Sequence, residues 1–167
     1  KMITIINYGL GNLGSLRNIL KYIGVNSEIS SSPDILKSSQ KLILPGVGAF
    51  DYAINKLNKQ KNLREVLEKK VLGEKIPILG ICLGMQILTN SSEEGRLPGL
   101  GWIPGETKRF PKFKDIKIPH MGWNYAFSSS ENPLTKDISE RSRYYFVHSY
   151  YVKVKNESHS LMRSYHG

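Results

Sequence analysis

The chain carries a single cysteine, Cys82, in 167 residues. An internal disulfide is thereby excluded, and a reducing cytoplasm is the natural setting. No apolar run approaches the roughly 20 residues that cross a bilayer, so no membrane association is expected. The opening Lys1-Met2-Ile3-Thr4-Ile5-Ile6-Asn7 enters a strand-like run at once and is too short and too quickly polar for a signal peptide. Zinc-ligand spacing, internal repeats and low-complexity tracts are all missing, and Ser128-Ser129-Ser130 is merely a loop. Neither a metal nor an organic cofactor is expected. What is there is ordinary for a soluble globular protein: 40% hydrophobic and 23% charged residues, enough chain for one domain (residues 1–167) with a real core.

A net charge of +10 invites a nucleic-acid reading. The lysines are spread, however, over Lys56, Lys59, Lys61, Lys69, Lys70 and Lys75, then Lys108, Lys112, Lys114 and Lys117. The first group alternates with Leu57, Leu63, Val66 and Leu67, as on the solvated face of a helix. With no helix-turn-helix pattern or RNP-like aromatic strand beside it, the charge speaks for solubility rather than for a nucleic-acid partner.

The first half alternates strand and helix. Ile3–Asn7 reads as a strand, and the glycine turn Gly9-Leu10-Gly11-Asn12 follows. A helix then carries Leu13, Leu16, Ile19, Leu20 and Ile23 on one side and stops at Gly24. Val25–Ser30 and Lys41–Leu44 are further strands, with a brief helical turn from Ser32-Pro33-Asp34 between them. Helical stretches near Phe50–Asn58 and Leu63–Leu72 lead to Ile76–Leu79, a short strand apolar on both faces and hence expected to be buried. This order predicts an α/β fold with a mostly parallel central sheet and helices on both faces. The second half, with β-prone Trp102–Phe110, Lys114–Ile118, Tyr144–Val147 and Tyr151–Val154, predicts antiparallel strands that extend or flank that sheet.

Gly80-Ile81-Cys82-Leu83-Gly84 is a G-x-C-x-G analogue of the nucleophile elbow. A sharp strand-to-helix turn leaves no room for side chains at Gly80 and Gly84. Cys82 then stands at a helix N-terminus, where unpaired N–H groups and the macrodipole favour a thiolate, and the Leu83 amide points to where an oxyanion would form. The plainer alternative is a buried structural thiol. Pro45-Gly46-Val47-Gly48 ends a buried strand nearby, and its glycines let backbone N–H groups approach a substrate carbonyl; an ordinary βα loop is the alternative. Gly9-x-Gly11-x-x-Gly14 matches a dinucleotide fingerprint in context, yet Glu28 is poorly placed for the acidic partner about 20 residues on, so it is a weak motif.

These residues resemble the nucleophile motif of the class I (triad) glutamine amidotransferases, through Gly80-Ile81-Cys82-Leu83-Gly84-Met85-Gln86. Further blocks, Asn7–Asn12, Leu44–Phe50, Ser92–Gly95, Gly99–Gly105, Pro119–Asn124 and Tyr144–Tyr150, resemble the branch that furnishes glutaminase subunits to imidazole glycerol phosphate synthesis, in histidine biosynthesis. The resemblance implies hydrolysis of L-glutamine through a cysteine thioester and delivery of ammonia to a (β/α)8-barrel cyclase or synthase subunit. By it Cys82 is the nucleophile; Leu83 N–H and the Val47–Gly48 peptide form the oxyanion site. Gly48, Gln86 and Glu94 hold the amino-acid end of glutamine, with Glu94 on the α-ammonium, and His148-Ser149-Tyr150 line the pocket. Trp123, Tyr145 and Asn12 face the partner, Tyr145 near the ammonia exit.

The resemblance fails at one place. The family's His-Pro-Glu segment, source of the other two triad members, has no counterpart here, and His120, His148, His159 and His166 stand in other contexts. The expectation is a domain shortened at its C-terminus that turns over glutamine poorly without a proton partner for the thiolate. Gly14 also departs from the bulkier or basic residue usual after the Gly-Asn-Leu step. That leaves room for a paralogue feeding ammonia to an N-acetyl sugar amidotransferase of surface polysaccharide synthesis. A catalytically silent binding module on the same scaffold is the alternative of another class, against which intact Cys82, Gln86 and Glu94 argue.

Overall fold

The computed structural model describes residues 2–112, 114, 116–139 and 141–167. Its first half is built on four parallel strands, β1 (Ile3–Ile6), β2 (Ser27–Ser30), β3 (Leu42–Leu44) and β4 (Ile78–Gly80), in the order β2-β1-β3-β4. The register aligns Ile5, Ile43 and Leu79 on one face of the sheet and Thr4, Leu42 and Ile78 on the other. Between these strands run α1 (Leu13–Tyr22), α2 (Pro33–Ser38), α3 (Phe50–Lys59) and α4 (Leu63–Glu68).

Helix α3 shows why the core lies where it does. Phe50, Ala53, Ile54 and Leu57 recur at i, i+3, i+4 and i+7 and are all buried. They join Ile6, Leu42 and Leu44 of the sheet and Leu63 and Leu67 of α4 in one apolar cluster. Each of these side chains other than Ala53 contributes about 1.5–3 kcal/mol by leaving water. The lysines of this stretch do not all face solvent, as the spacing had suggested. Lys70, within the π-helical turn Lys69–Gly73, is 5% exposed. Its ammonium donates to the Lys37 carbonyl at 2.8 Å and pairs with Glu74 at 2.5 Å.

The burial expected of the strand before Cys82 is corrected by its position in the sheet. β4 is an edge strand, and Leu79 is 57% exposed rather than buried. In α1, Leu13, Leu16 and Leu20 are half-buried, whereas Ile19, and Ile23 just after the helix, are exposed. The helix starts on Asn12, whose side-chain oxygen accepts from the Ser15 N–H at 3.2 Å, and it gives way to Gly24 in the left-handed region.

The second half flanks the parallel sheet instead of extending it. β5 (Ser91–Ser92), β6 (Gly105–Arg109) and β10 (Tyr150–Val154) form a sheet in the order β10-β6-β5. β7 (His120–Tyr125) and β9 (Arg143–His148) make an antiparallel ribbon, and β8 (Phe127–Ser128) pairs with β11 (Met162–Arg163). The strand expected over Lys114–Ile118 does not form at residues 116–118, and residue 115 lies outside the described ones. Ile118–Pro119 is a cis peptide leading into β7.

Candidate active site

β4 ends on Gly80, the Ile81 N–H donates to the Leu44 carbonyl at 3.0 Å, and the chain reverses at Cys82 into α5 (Leu83–Gln86). Cys82 has φ 55° and ψ −119°. Left-handed backbone in a residue with a Cβ marks a site where surrounding packing imposes strain. That packing is tight: a Cβ on Gly80 would lie 2.7 Å from Met85 Cα, and one on Gly84 would overlap the Leu44 carbonyl oxygen. The thiol itself is exposed. The helix after it spans one turn only, so the nearby amides, not a long macrodipole, set the field at the sulfur. The Gly84, Met85 and Gln86 amides donate to the Ile81 and Cys82 carbonyls. Leu83 N–H is left without a protein acceptor among the described residues.

The loop after β3 approaches from one side. Pro45 to Gly48 runs from Leu44 to Ala49, the residue preceding α3, and Gly48 holds φ 108°. Tyr8 supports this loop from inside the fold. Its ring is fully buried and its hydroxyl donates to the Pro45 carbonyl at 2.7 Å. Burial, with a smaller contribution from negative charge on Cys82, pushes the phenol well above its ordinary pKa and keeps it a donor. The turn at Gly9–Gly14 is packed against the same loop: a Cβ on Gly11 would lie 2.9 Å from Pro45 Cβ. Gly11 thus makes room for the Pro45 ring, and Gly9 and Gly11 both hold positive φ, so at these two positions the turn itself calls for glycine.

Glu94 and α3 grip each other. One Glu94 carboxylate oxygen accepts the Phe50 N–H at 3.0 Å, at the first turn of α3. Reciprocally, the Asp51 carboxylate accepts the Arg96 N–H at 2.9 and 3.0 Å and the Leu97 N–H at 3.0 Å. The Glu94 N–H is held in turn by Ser92 Oγ at 3.1 Å. The result is a carboxylate fixed in the cleft that Cys82 also lines, with its second oxygen not engaged in this clamp.

Gly48, Cys82, Leu83, Gln86, Glu94, His148, Ser149 and Tyr150 all line one open cleft of about 280 Å³, with Pro119 and Val147. Eight residues singled out from the sequence therefore meet in space. Val47 does not line this cleft and is exposed. Trp123 and Tyr145 lie opposite each other across the β7–β9 ribbon, 66% and 56% exposed, with ring centroids 5.7 Å apart in an edge-to-face contact. Asn12 is exposed and caps α1.

No histidine among the described residues bonds to Cys82. His148, although in the cleft, has both ring nitrogens engaged: Nδ1 with the Tyr150 carbonyl at 2.8 Å and Nε2 with His120 Nδ1 at 2.9 Å. His166 Nε2 bonds the Lys117 carbonyl. Sequence reasoning missed Tyr8, Asp51 and the His120–His148 pair. A buried tyrosine needs a partner for its hydroxyl, so Tyr8 carried a faint signal. Asp51 reads as a routine acidic residue in a first helical turn, and it carried none.

A strained, exposed cysteine on a strand-to-helix corner, sharing a cleft with Gly48 of the glycine loop and a braced carboxylate, is the arrangement of an amide-cleaving thiol site. The sequence model of the family "Glutamine amidotransferase class-I" matches residues 4–166, and the chain belongs to that family. It is 52% identical over 161 residues to imidazole glycerol phosphate synthase subunit HisH 2 of Methanococcus maripaludis, covering 96% of this chain and 79% of that protein. It is 45% identical over 166 residues to the subunit HisH 2 of Pseudomonas aeruginosa, covering 99% of this chain and 82% of that one. A crystal structure of a glutamine amidotransferase from Thermotoga maritima shares the fold at a TM-score of 0.59 and 19% identity, over 92% of this chain and 62% of that one.

Proposed function

We propose that this chain is the glutaminase subunit of an imidazole glycerol phosphate synthase. It hydrolyses L-glutamine to glutamate and ammonia, and the ammonia passes to a (β/α)8-barrel cyclase subunit that makes imidazole glycerol phosphate and AICAR. The observation that carries this reading is the exposure of Cys82 at φ 55° in the same cleft as Gly48, Gln86 and Glu94. The relatives quoted above bear the name of that subunit. No helix among the described residues is long and apolar enough to cross a membrane, and the cytoplasm is the compartment we assign.

In this reading the Cys82 thiolate attacks the carboxamide carbon of glutamine, and the oxyanion settles between Leu83 N–H and the Val47–Gly48 peptide. Collapse of the adduct breaks the C–N bond. The nitrogen takes up the proton that the Cys82 thiol gave up and leaves as ammonia, giving a glutamyl thioester that water opens to glutamate and the regenerated thiol. Loss or misalignment of one oxyanion donor costs about 10²–10³ in rate, so reorienting the glycine-loop peptide on partner binding suffices to gate the reaction. The free oxygen of Glu94 binds the substrate ammonium, and Gln86 with the Ser149–Tyr150 backbone holds the rest. The family's base lies in a His-Pro-Glu segment, a triplet these 167 residues do not contain. Trp123 and Tyr145 are the anchors we assign to the partner.

The test is alkylation of Cys82 by the diazoketone analogue of glutamine, followed by mass spectrometry. Labelling confined to Cys82 and suppressed by excess L-glutamine supports the reading; labelling indifferent to glutamine overturns it. Co-purification of the native protein then identifies the acceptor. A barrel cyclase supports the synthase, whereas a sugar amidotransferase in its place overturns that half of the assignment.

A further inference from the structure

β7 and β9 place His120 opposite His148 in register, and the two rings meet through one nitrogen each, their planes tilted by 60°. His148 lines the 280 Å³ cleft, while both histidines line a neighbouring cavity of about 640 Å³. The pair is a partition between them. Its protons are determined by bookkeeping of donors and acceptors. A neutral imidazole carries one N–H and one lone pair. The Tyr150 carbonyl only accepts, so the proton of His148 sits on Nδ1, 2.8 Å away. His148 Nε2 is then a lone pair and needs a donor, which must be the Nδ1–H of His120 at 2.9 Å. His120 Nε2 is left as a lone pair and faces Asn124 Nδ2 at 3.2 Å. The amide of Asn124 is itself oriented: its oxygen accepts the Tyr125 N–H at 2.8 Å, and Nδ2 also donates to the Tyr165 carbonyl at 2.7 Å. Every hydrogen in the series Asn124, His120, His148, Tyr150 points the same way.

The end of this series is the part of the cleft wall that holds no catalytic side chain. At Ser149 the chain leaves the β7–β9 ribbon and joins the β6–β10 sheet. The Ser149 carbonyl is held by the Phe110 N–H at 3.1 Å and the Tyr150 carbonyl by His148. We infer that the Asn124–His120–His148 ladder is a positioning device: by bridging the corner at Ser149 it holds the Ser149–Tyr150 backbone in the conformation that binds glutamine. This rests on the glutaminase reading and extends it to His120 and Asn124, which do not line the glutamine cleft. The surroundings of His120 agree. Its ring lies between Phe146 and His166, with centroids 4.6 and 4.3 Å away and near-parallel planes. Burial, then the neighbouring His166 and His148, keeps its pKa below the usual histidine value. A second proton on His120, at Nε2, would set N–H against the Asn124 amide N–H.

Two measurements test the ladder. Nitrogen NMR of the unmutated protein is expected to show the Nδ1–H tautomer, the minor form of free histidine, at both His120 and His148. An Nε2–H tautomer at either overturns the proposal. Second, inactivation of Cys82 by the diazoketone analogue separates pocket affinity, read as the half-saturating concentration, from thiol reactivity, read as the limiting rate. His120→Phe keeps the stacked ring but removes both nitrogens. It is expected to raise the half-saturating concentration about tenfold with the limiting rate within about twofold, the effect of one lost buried hydrogen bond. His120→Asn places an amide nitrogen where Nδ1 stood and is expected to recover most of the loss. An unchanged half-saturating concentration in His120→Phe, or equal loss in both variants, overturns the proposal. If glutamine fails to protect unmutated Cys82, the glutaminase reading falls, and the nitrogen spectrum alone then decides whether the ladder exists.

Discussion

Replacing Cys82 by glycine is expected to abolish its chemistry and to make the fold more stable. Away from special backbone conformations, glycine destabilises by about 0.5–1 kcal/mol relative to alanine, because the unfolded chain gains freedom. Cys82, however, sits at φ 55° and ψ −119°, where a residue with a Cβ stores about 1–3 kcal/mol of strain. Its thiol is exposed, so truncation forfeits little packing. Taking the middle of each range, removing the strain and subtracting the entropy leaves Cys82→Gly about 1 kcal/mol more stable than Cys82→Ala, which keeps its Cβ. Cys82→Ala itself is expected within about 0.5 kcal/mol of the unmutated chain. Urea denaturation of the three proteins measures this, provided the denaturant slopes agree. A glycine variant no more stable than the alanine variant would refute the claim that strain is held at the nucleophile. Confirmation would place this site among those where function is maintained against stability.

Tyr8→Phe keeps the buried ring but strands the Pro45 carbonyl, and is expected to cost about 1–2 kcal/mol; a loss below about 0.3 kcal/mol in the same assay would mean the loop finds another donor. Asp51→Ala frees the Arg96 and Leu97 amides and slackens the loop that carries Glu94. It is expected to weaken glutamine protection of Cys82, and undiminished protection would sink the reciprocal clamp. Trp123→Ala is expected to leave stability within about 0.5 kcal/mol, since the ring is exposed. It should weaken partner binding by about 2 kcal/mol or more in calorimetry, and an unchanged Kd would move the docking face elsewhere. Because His120 has a lower pKa folded than unfolded, the unfolded state binds the extra proton first. Its contribution to stability is full above the unfolded value of about 6.5 and is lost as pH falls through the folded value. Denaturation midpoints should therefore decline on acidification from about neutral, with His120→Phe showing a shallower decline; parallel curves would remove His120 as the source.

Much of this architecture is legible along the chain. The spacing of Phe50, Ala53, Ile54 and Leu57 predicts a helix and its buried face, and both are present. The G-x-C-x-G corner required glycines at Gly80 and Gly84, and the contacts a Cβ would make there explain the requirement. The alternation of strand and helix through Gly80 is enough for a parallel sheet with the cysteine and the glycine loop at the same edge. Such signals are local: they depend on period, on turn residues and on steric exclusion within a few residues.

Other features depend on what comes to lie beside a residue. Leu79 is as apolar as its neighbours, yet it is exposed because β4 falls at a sheet edge. Lys70 belongs to a run of lysines that periodicity assigns to solvent, but it is buried on a carbonyl 33 residues away. Glu94 is aimed by Phe50 across 44 residues, and His120 finds His148 across 28. The sequence by itself determined which residues carry chemistry and which segments bend, since those follow from the chemistry and sterics of short stretches. The tertiary structure decided which carboxylate is braced, which histidines are already committed to each other and which lysine is inside, because hydrogen bonds and desolvation act between groups that only folding makes neighbours.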